Sequence, residues 1–145
     1  MATTSPLKLL ALAFIAGFLS TIIFHQAVVL VLNMTGLMPP GVKPWALDPV
    51  PPFGVPTVIS KAFWGGLWAM LLVHVLRGFR GPSYWLAWTI AGAVALPLVA
   101  IFVVPPLKGQ PIPDFMSRFP IFALVNAAWG FGTALLLRMF GATRA

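Results

Sequence analysis

Four long apolar runs, separated by shorter stretches that hold the charged residues, dominate the chain. The runs predict membrane-spanning helices at about 7–32, 60–79, 83–104 and 119–140. Runs of this length suit a hydrocarbon core of about 30 Å, and they must be helical because lipid cannot satisfy exposed backbone groups. The pattern therefore predicts an all-α integral membrane bundle of four transmembrane helices, forming a single domain over 1–145.

The second run is the shortest of the four. Only 62–76 is free of charge, so its helix spans the membrane if Lys61 and Arg77 extend their side chains into opposite headgroup layers. We expect a helix from Ser60 to Phe79 on this basis.

The connections between the runs differ in length and composition. Residues 77–82 predict a tight turn, which makes the second and third helices antiparallel neighbours. The loops 33–59 and 105–118 are long and rich in proline, and four spans place both on one side of the membrane. The turn and both termini then lie on the other side.

Composition and charge exclude a soluble domain and a nucleic-acid-binding protein. Apolar residues make up 60% of the chain and charged residues only 8%, against about a quarter charged in soluble domains. The net charge of +7 comes from scattered cations near the ends of the apolar runs, which suits lipid headgroups. The turn side carries five cations and the loop side four: Lys8, Arg77, Arg80, Arg138 and Arg144 against Lys43, Lys61, Lys108 and Arg118. The positive-inside rule then predicts that both termini are cytoplasmic.

A faint internal repeat raises the alternative that the bundle is a duplicated helix hairpin. Residues 62–72 align with 127–137, and related Pro-Pro loops at 50–56 and 104–111 precede them. Chance is the competing explanation, because Trp, Gly, Ala and Leu are common in spans and the chain contains 15 prolines. The sequence leaves both explanations open.

Small residues recur four positions apart in each run and predict close helix packing. Gly17, Gly66, Gly130 and Gly132 are the candidate packing positions. Lipid tails are as apolar as leucine, so membrane helices associate through close backbone contact and interhelical hydrogen bonds. The small faces predict one packed bundle, and also association with a second copy or with other membrane subunits.

A polar group is predicted inside the bundle. His25 and Thr21 continue the small-residue stripe of the first run, and Asn126 and Thr133 belong to a comparable stripe of the fourth, while Gln26 points about 100° away from His25. Intramembrane polar residues either bond helices together or line a pocket for a ligand, ion or proton. We favour the first role, through a hydrogen-bonded group of His25, Asn126 and Thr21.

The inventory of reactive side chains argues against an enzyme and against a metal centre. The chain has no Cys and no Glu, and its only carboxylates, Asp48 and Asp114, lie in loops. The spans therefore lack an acid–base pair, and two loop aspartates fall far short of the about six to eight ligands of Ca²⁺. No cofactor is expected, because His25 and His74 lie at different depths and cannot share one haem. A haem or chlorophyll bound by His25 alone remains an alternative.

The loop Val-Pro-Pro-Phe-Gly-Val-Pro at 50–56 and the helix entry Ala-Phe-Trp-Gly-Gly-Leu-Trp at 62–68 resemble those of small uncharacterised four-span inner-membrane proteins of proteobacteria. The resemblance covers nearly the whole chain and implies an inner-membrane location, with no activity to carry over. The leading hypothesis is a non-enzymatic protein that acts through helix association, as a homo-oligomer or as an accessory subunit of a membrane complex. A small transporter or channel with a polar path at His25 and Asn126 is the alternative, and a haem- or pigment-binding subunit is the second alternative.

Overall fold

The computed structural model describes residues 5–143, in which helix predominates. The helical segments are α1 (Pro6–Ser20), a π-helical turn (Thr21–His25), α2 (Gln26–Met34), α3 (Thr57–Val75), α4 (Pro82–Phe102), α5 (Val104–Leu107) and α6 (Phe115–Met139). The first long loop holds a small antiparallel hairpin of strands β1 (Pro49–Val50) and β2 (Val55–Pro56).

Four helical segments are long and apolar enough to cross a membrane, and we number them spans 1 to 4 in chain order. They are Pro6–Met34, Thr57–Val75, Pro82–Leu107 and Phe115–Met139. Span 1 joins α1, the π-helical turn and α2, and span 3 joins α4 and α5. The protein is therefore the all-α bundle of four transmembrane helices that the sequence predicts.

Span 2 begins and ends earlier in the sequence than expected. The sequence predicts Ser60–Phe79, whereas the helix runs from Thr57 to Val75. It begins directly after Pro56, whose extended backbone cannot belong to the helix, and it ends before Gly78. As a result Lys61 lies in the second turn of α3 instead of at the second residue of the helix.

Glycine pairs bring the spans of each hairpin together. Gly17 of span 1 lies against Gly65 of span 2, where a Cβ on Gly17 would clash with the carbonyl oxygen of Gly65. Gly92 of span 3 lies against Gly130 of span 4, where a Cβ on Gly92 would come within 3.2 Å of the Gly130 amide nitrogen. Gly65 and Gly130 occupy the same position in the predicted repeat. Each hairpin therefore has its glycine–glycine contact at the same position of its second helix.

The loops ahead of spans 2 and 4 do not share a conformation. Residues 50–56 contribute to the β-hairpin, whereas 104–107 form the short helix α5. The similarity between the two halves therefore resides in helix packing, and duplication of the hairpin stays a prediction.

The candidate packing glycines all lie at contacts within the chain. Beyond Gly17 and Gly130, Gly66 lies against the ring of Phe14. Gly132 lies against Phe24 and the Ser20 hydroxyl. The small faces are thus used to build the bundle itself.

The turn side of the bundle is closed by a buried cluster from all four spans, which includes Ala13, Leu72, Val73, Leu76, Tyr84, Trp88, Trp129 and Leu137. The Tyr84 hydroxyl contacts the carbonyl oxygen of Ala134 at 2.8 Å and the hydroxyl of Thr143 at 2.7 Å. On the loop side a smaller cluster of Val29, Leu32 and Val125 belongs to spans 1 and 4, and Met38 and Val42 of the first loop pack against it. Arg144, one of the cations assigned to the turn side, lies outside the described residues.

Candidate functional site

A groove separates spans 2 and 3 on the loop side of the buried cluster. The two spans follow one another in the chain, but span 2 packs mainly on span 1 and span 3 mainly on span 4. The space left between them has a volume of about 870 Å³ and is partly open to the surface. We call it the lateral groove. Its volume falls within the about 300–1,000 Å³ that is usual for small-molecule sites.

The walls of the lateral groove are apolar. Leu67, Trp68 and Leu71 of span 2 and Leu96, Val99 and Val103 of span 3 line it. Other lining side chains also form the outer surface of the bundle, since Trp64 is 60% exposed and Leu107 is 81% exposed. The groove is therefore continuous with the outer surface of the bundle.

A few polar side chains interrupt this apolar lining. Thr21 and His25 contribute from span 1 and Asn126 from span 4. Lys61 of span 2 and Lys108, just beyond α5, are the cations among the described lining residues, which include no carboxylate. The site thus combines apolar walls with a positive charge.

The first loop is fixed to span 1 beside the groove. Trp45 donates its backbone N–H to the Gln26 Oε1 at 2.7 Å and its indole Nε1–H to the Ile22 carbonyl oxygen at 2.9 Å. The positive φ of Trp45, 47°, is unusual for a residue with a side chain and is held in place by these bonds. Ile22 belongs to the π-helical turn Thr21–His25, a feature that is frequent at functional sites.

The predicted hydrogen-bonded group of His25, Asn126 and Thr21 does not form. The side chains of Thr21 and Asn126 donate to the carbonyl oxygens four residues earlier in their own helices, at 3.0 and 2.8 Å. The Nδ1 of His25 instead lies 3.2 Å from the Nε2 of Gln26, which was expected to point away. His25, Asn126 and Thr21 are nonetheless brought together as lining of the lateral groove.

Thr133, the remaining candidate, lies outside the groove, and its own hydrogen bond stays within span 4. It is fully buried, and its hydroxyl donates to the carbonyl oxygen of Trp129 at 2.8 Å. Ser20 of span 1 donates to the same oxygen at 2.7 Å, and the indole of Trp129 donates to the carbonyl oxygen of Gly17 at 3.0 Å. The polar bonding between helices that the sequence predicts is therefore present, but Trp129 and Ser20 form it instead of His25 and Asn126.

The sequence did not indicate that Lys61 lines the lateral groove or that Trp45 fixes the first loop to span 1. It placed Lys61 at the snorkelling end of span 2 and gave Trp45 no contact with span 1. The depth of Lys61 was indicated by the Pro56-Thr57 pair. This pair starts the helix early, so that Lys61 lies further from the end of the helix. Trp45 carries no comparable signal, because its partners are distant in sequence.

The described residues offer no group of three or more His, Asp or similar side chains that could hold a metal ion. His74 is exposed on the turn side, where its Nδ1 lies 3.0 Å from the Met70 carbonyl oxygen, and it does not line the groove. What the arrangement can do chemically is hold an elongated apolar molecule and orient its polar end.

Comparisons of the chain with protein-family models, with curated proteins and with solved structures find no match.

Proposed function

We propose that this chain is a non-enzymatic, multi-pass protein of the bacterial inner membrane that binds a hydrophobic molecule taken from the bilayer. The lateral groove, open to lipid between spans 2 and 3, carries this proposal. Ligand sites are typically apolar concavities with a few polar groups that fix orientation, and the groove has this composition.

The two ends of the groove support binding over passage across the membrane. Its polar lining lies toward the loop side, at residues such as Lys61 and Asn126. Toward the turn side the bundle is filled by Trp88 and Leu137, which are almost completely buried. A molecule in the groove therefore meets packed side chains instead of a polar path onward.

Association with a second copy or with other membrane subunits remains part of the proposal in a modified form. The glycines that prompted it, among them Gly17 and Gly130, are occupied by contacts within the chain. A partner would therefore contact other lipid-facing surfaces of the bundle.

We place both termini in the cytoplasm, on the small excess of cations on the turn side. The loops and the open end of the lateral groove then lie at the outer leaflet. The bound molecule would accordingly be drawn from that leaflet.

Filling the groove tests the proposal. Val99→Trp puts a large side chain into the groove wall. The control, Ile90→Trp, introduces the same side chain on the same helix, at a position that is 57% exposed and outside the groove. After extraction in a mild detergent, native mass spectrometry should show a hydrophobic adduct on the parent and on Ile90→Trp, and its loss from Val99→Trp. A parent without an adduct, or equal retention by both variants, would contradict the proposal.

A further inference from the structure

We propose that the molecule held in the lateral groove is an anionic phospholipid, with its phosphate at Lys61 and its acyl chains along the apolar walls. This inference rests on the proposed function, because it assigns the chemical class of the ligand in the same groove. It combines the charge of the lining, the depth of Lys61 and the shape of the walls.

The charge of the lining selects an anion. Lys61 and Lys108 line the groove, and no carboxylate does so among the described residues. The whole chain has nine Lys and Arg against two carboxylates, so the cations far outnumber their possible partners. One of those carboxylates, Asp114, is already engaged, since its Oδ2 accepts a hydrogen bond from the Ser117 amide at 2.8 Å.

The depth of Lys61 suits a lipid headgroup. The helix from Lys61 to its end at Val75 measures about 21 Å at 1.5 Å per residue. Within a hydrocarbon core of about 30 Å, Lys61 therefore lies toward the loop-side headgroup layer. Its long flexible stem lets the ammonium reach the phosphate level while the aliphatic part stays in the groove.

The start of α3 adds to the attraction for a phosphate. Thr57 and Ser60 line the groove in the first turn of this helix, directly before Lys61. Backbone dipoles make the N-terminal end of a helix positive, which favours a nearby anion. The amides of Thr57 and Val58 already donate to the carbonyl oxygens of Asp48 and Ala46, so this helix end favours an anion through its dipole and not through those amides.

The walls suit acyl chains. Leu67 and Leu71 on span 2 and Val99 and Val103 on span 3 form apolar surfaces between which the groove stays open to the bilayer. A soluble anion gains nothing from such walls, whereas a lipid buries its chains against them. Two lysines without a carboxylate also disfavour a headgroup that carries its own ammonium. Phosphatidylglycerol should therefore bind in preference to phosphatidylethanolamine.

Competition between these two lipids tests the inference on the full chain in mild detergent. Equal amounts of phosphatidylglycerol and phosphatidylethanolamine are added, and native mass spectrometry gives the ratio of the two adducts. The parent should favour phosphatidylglycerol, and Lys61→Gln should reduce this preference about fivefold, the effect of about one lysine near a lipid surface. Lys43→Gln removes a loop lysine that does not line the groove and should leave the ratio unchanged. Excess inorganic phosphate should not displace the lipid.

The outcomes separate this inference from the proposed function. An adduct that Val99→Trp abolishes, with equal occupancy by the two lipids, would overturn the anionic class and leave groove binding intact. Equal effects of Lys61→Gln and Lys43→Gln, or displacement by phosphate, would also overturn it. A circular-dichroism melting curve that matches the parent's shows that a variant is folded. A changed ratio of the two lipid adducts then reports on binding.

Discussion

The indole nitrogen of Trp129 donates a hydrogen bond to the backbone carbonyl oxygen of Gly17, 3.0 Å away and 112 residues earlier in the chain. Trp129 is almost completely buried, and the same carbonyl accepts the Thr21 hydroxyl at 3.0 Å. Because Gly17 lies in the first hairpin and Trp129 in the second, this bond links the two halves of the bundle.

Trp129→Phe removes that bond while keeping an aromatic ring. We expect the free energy of unfolding to fall by about 1 kcal/mol, in the range measured for hydrogen bonds between membrane helices. Unfolding by sodium dodecyl sulfate in mixed micelles measures the change. Trp64→Phe, at a tryptophan that is 60% exposed, should change it by less than about 0.5 kcal/mol. Equal losses in the two variants would contradict the role assigned to the Trp129–Gly17 bond.

Gly65→Ala and Gly130→Ala should each destabilise the bundle. A methyl group at either position would clash with the neighbouring span, at the Thr21 hydroxyl for Gly65 and at the Trp88 carbonyl oxygen for Gly130. We expect a loss of about 1–3 kcal/mol for each, as for other overpacked contacts. Gly78→Ala is the control, since nothing lies within 4 Å of its added methyl group. If all three variants unfold alike in the same titration, the glycine contacts are not what holds the hairpins.

Gln26→Leu should loosen the first loop without unfolding the spans. The substitution removes the acceptor of the Trp45 backbone N–H, which now bonds to the Gln26 Oε1 at 2.7 Å. Amide hydrogen exchange at Trp45 should become about tenfold faster or more, matching the loss of one partly buried bond. Gln110→Leu changes the other glutamine of the chain, which is exposed in the second loop, and should leave exchange at Trp45 as it is.

Single cysteines report which side of the membrane the loops occupy. The chain has no Cys, so Gln110→Cys and Gly78→Cys each create a unique thiol at an exposed position. A membrane-impermeant maleimide added to intact cells should label Gln110→Cys and reach Gly78→Cys only after permeabilisation. The reverse pattern would invert the proposed orientation, and labelling of both from outside would show that span 3 does not cross the membrane.

The spans and the turn could be predicted because lipid imposes a strong condition on the backbone. An apolar run that crosses hydrocarbon must bond internally, so run length and charge alone locate the helices. The end points are set by local chemistry instead. Pro56 starts span 2 early, so the prediction that began the helix at Ser60 was wrong there.

The lateral groove could not be predicted because it depends on distances between helices. The tight turn predicts that spans 2 and 3 are neighbours, but the glycine contacts draw each toward a different partner, Gly65 toward Gly17 and Gly92 toward Gly130. Nothing in the hydropathy pattern states how far apart the two hairpins then stand. His25, Thr21 and Asn126 could be proposed together from the sequence, but the apolar walls and the lysines that complete the groove lining could not.

The predicted cluster of His25, Asn126 and Thr21 failed for a local reason. A short polar side chain on a helix can bond the carbonyl oxygen four residues earlier, and both Thr21 and Asn126 do so. That bond satisfies the side chain without a second helix. Helical spacing alone therefore overstated their tendency to meet.

The π-helical turn at Thr21–His25 lets span 1 tolerate the loss of one residue. A π turn equals an α-helix that has absorbed one inserted residue, so deleting one residue there would restore regular winding and leave α1 and α2 in register. Val29 would keep its place against Val125, and Gln26 would stay beside Trp45. The same deletion in a regular α-helix would rotate everything after it by about 100° and detach that part from its neighbours.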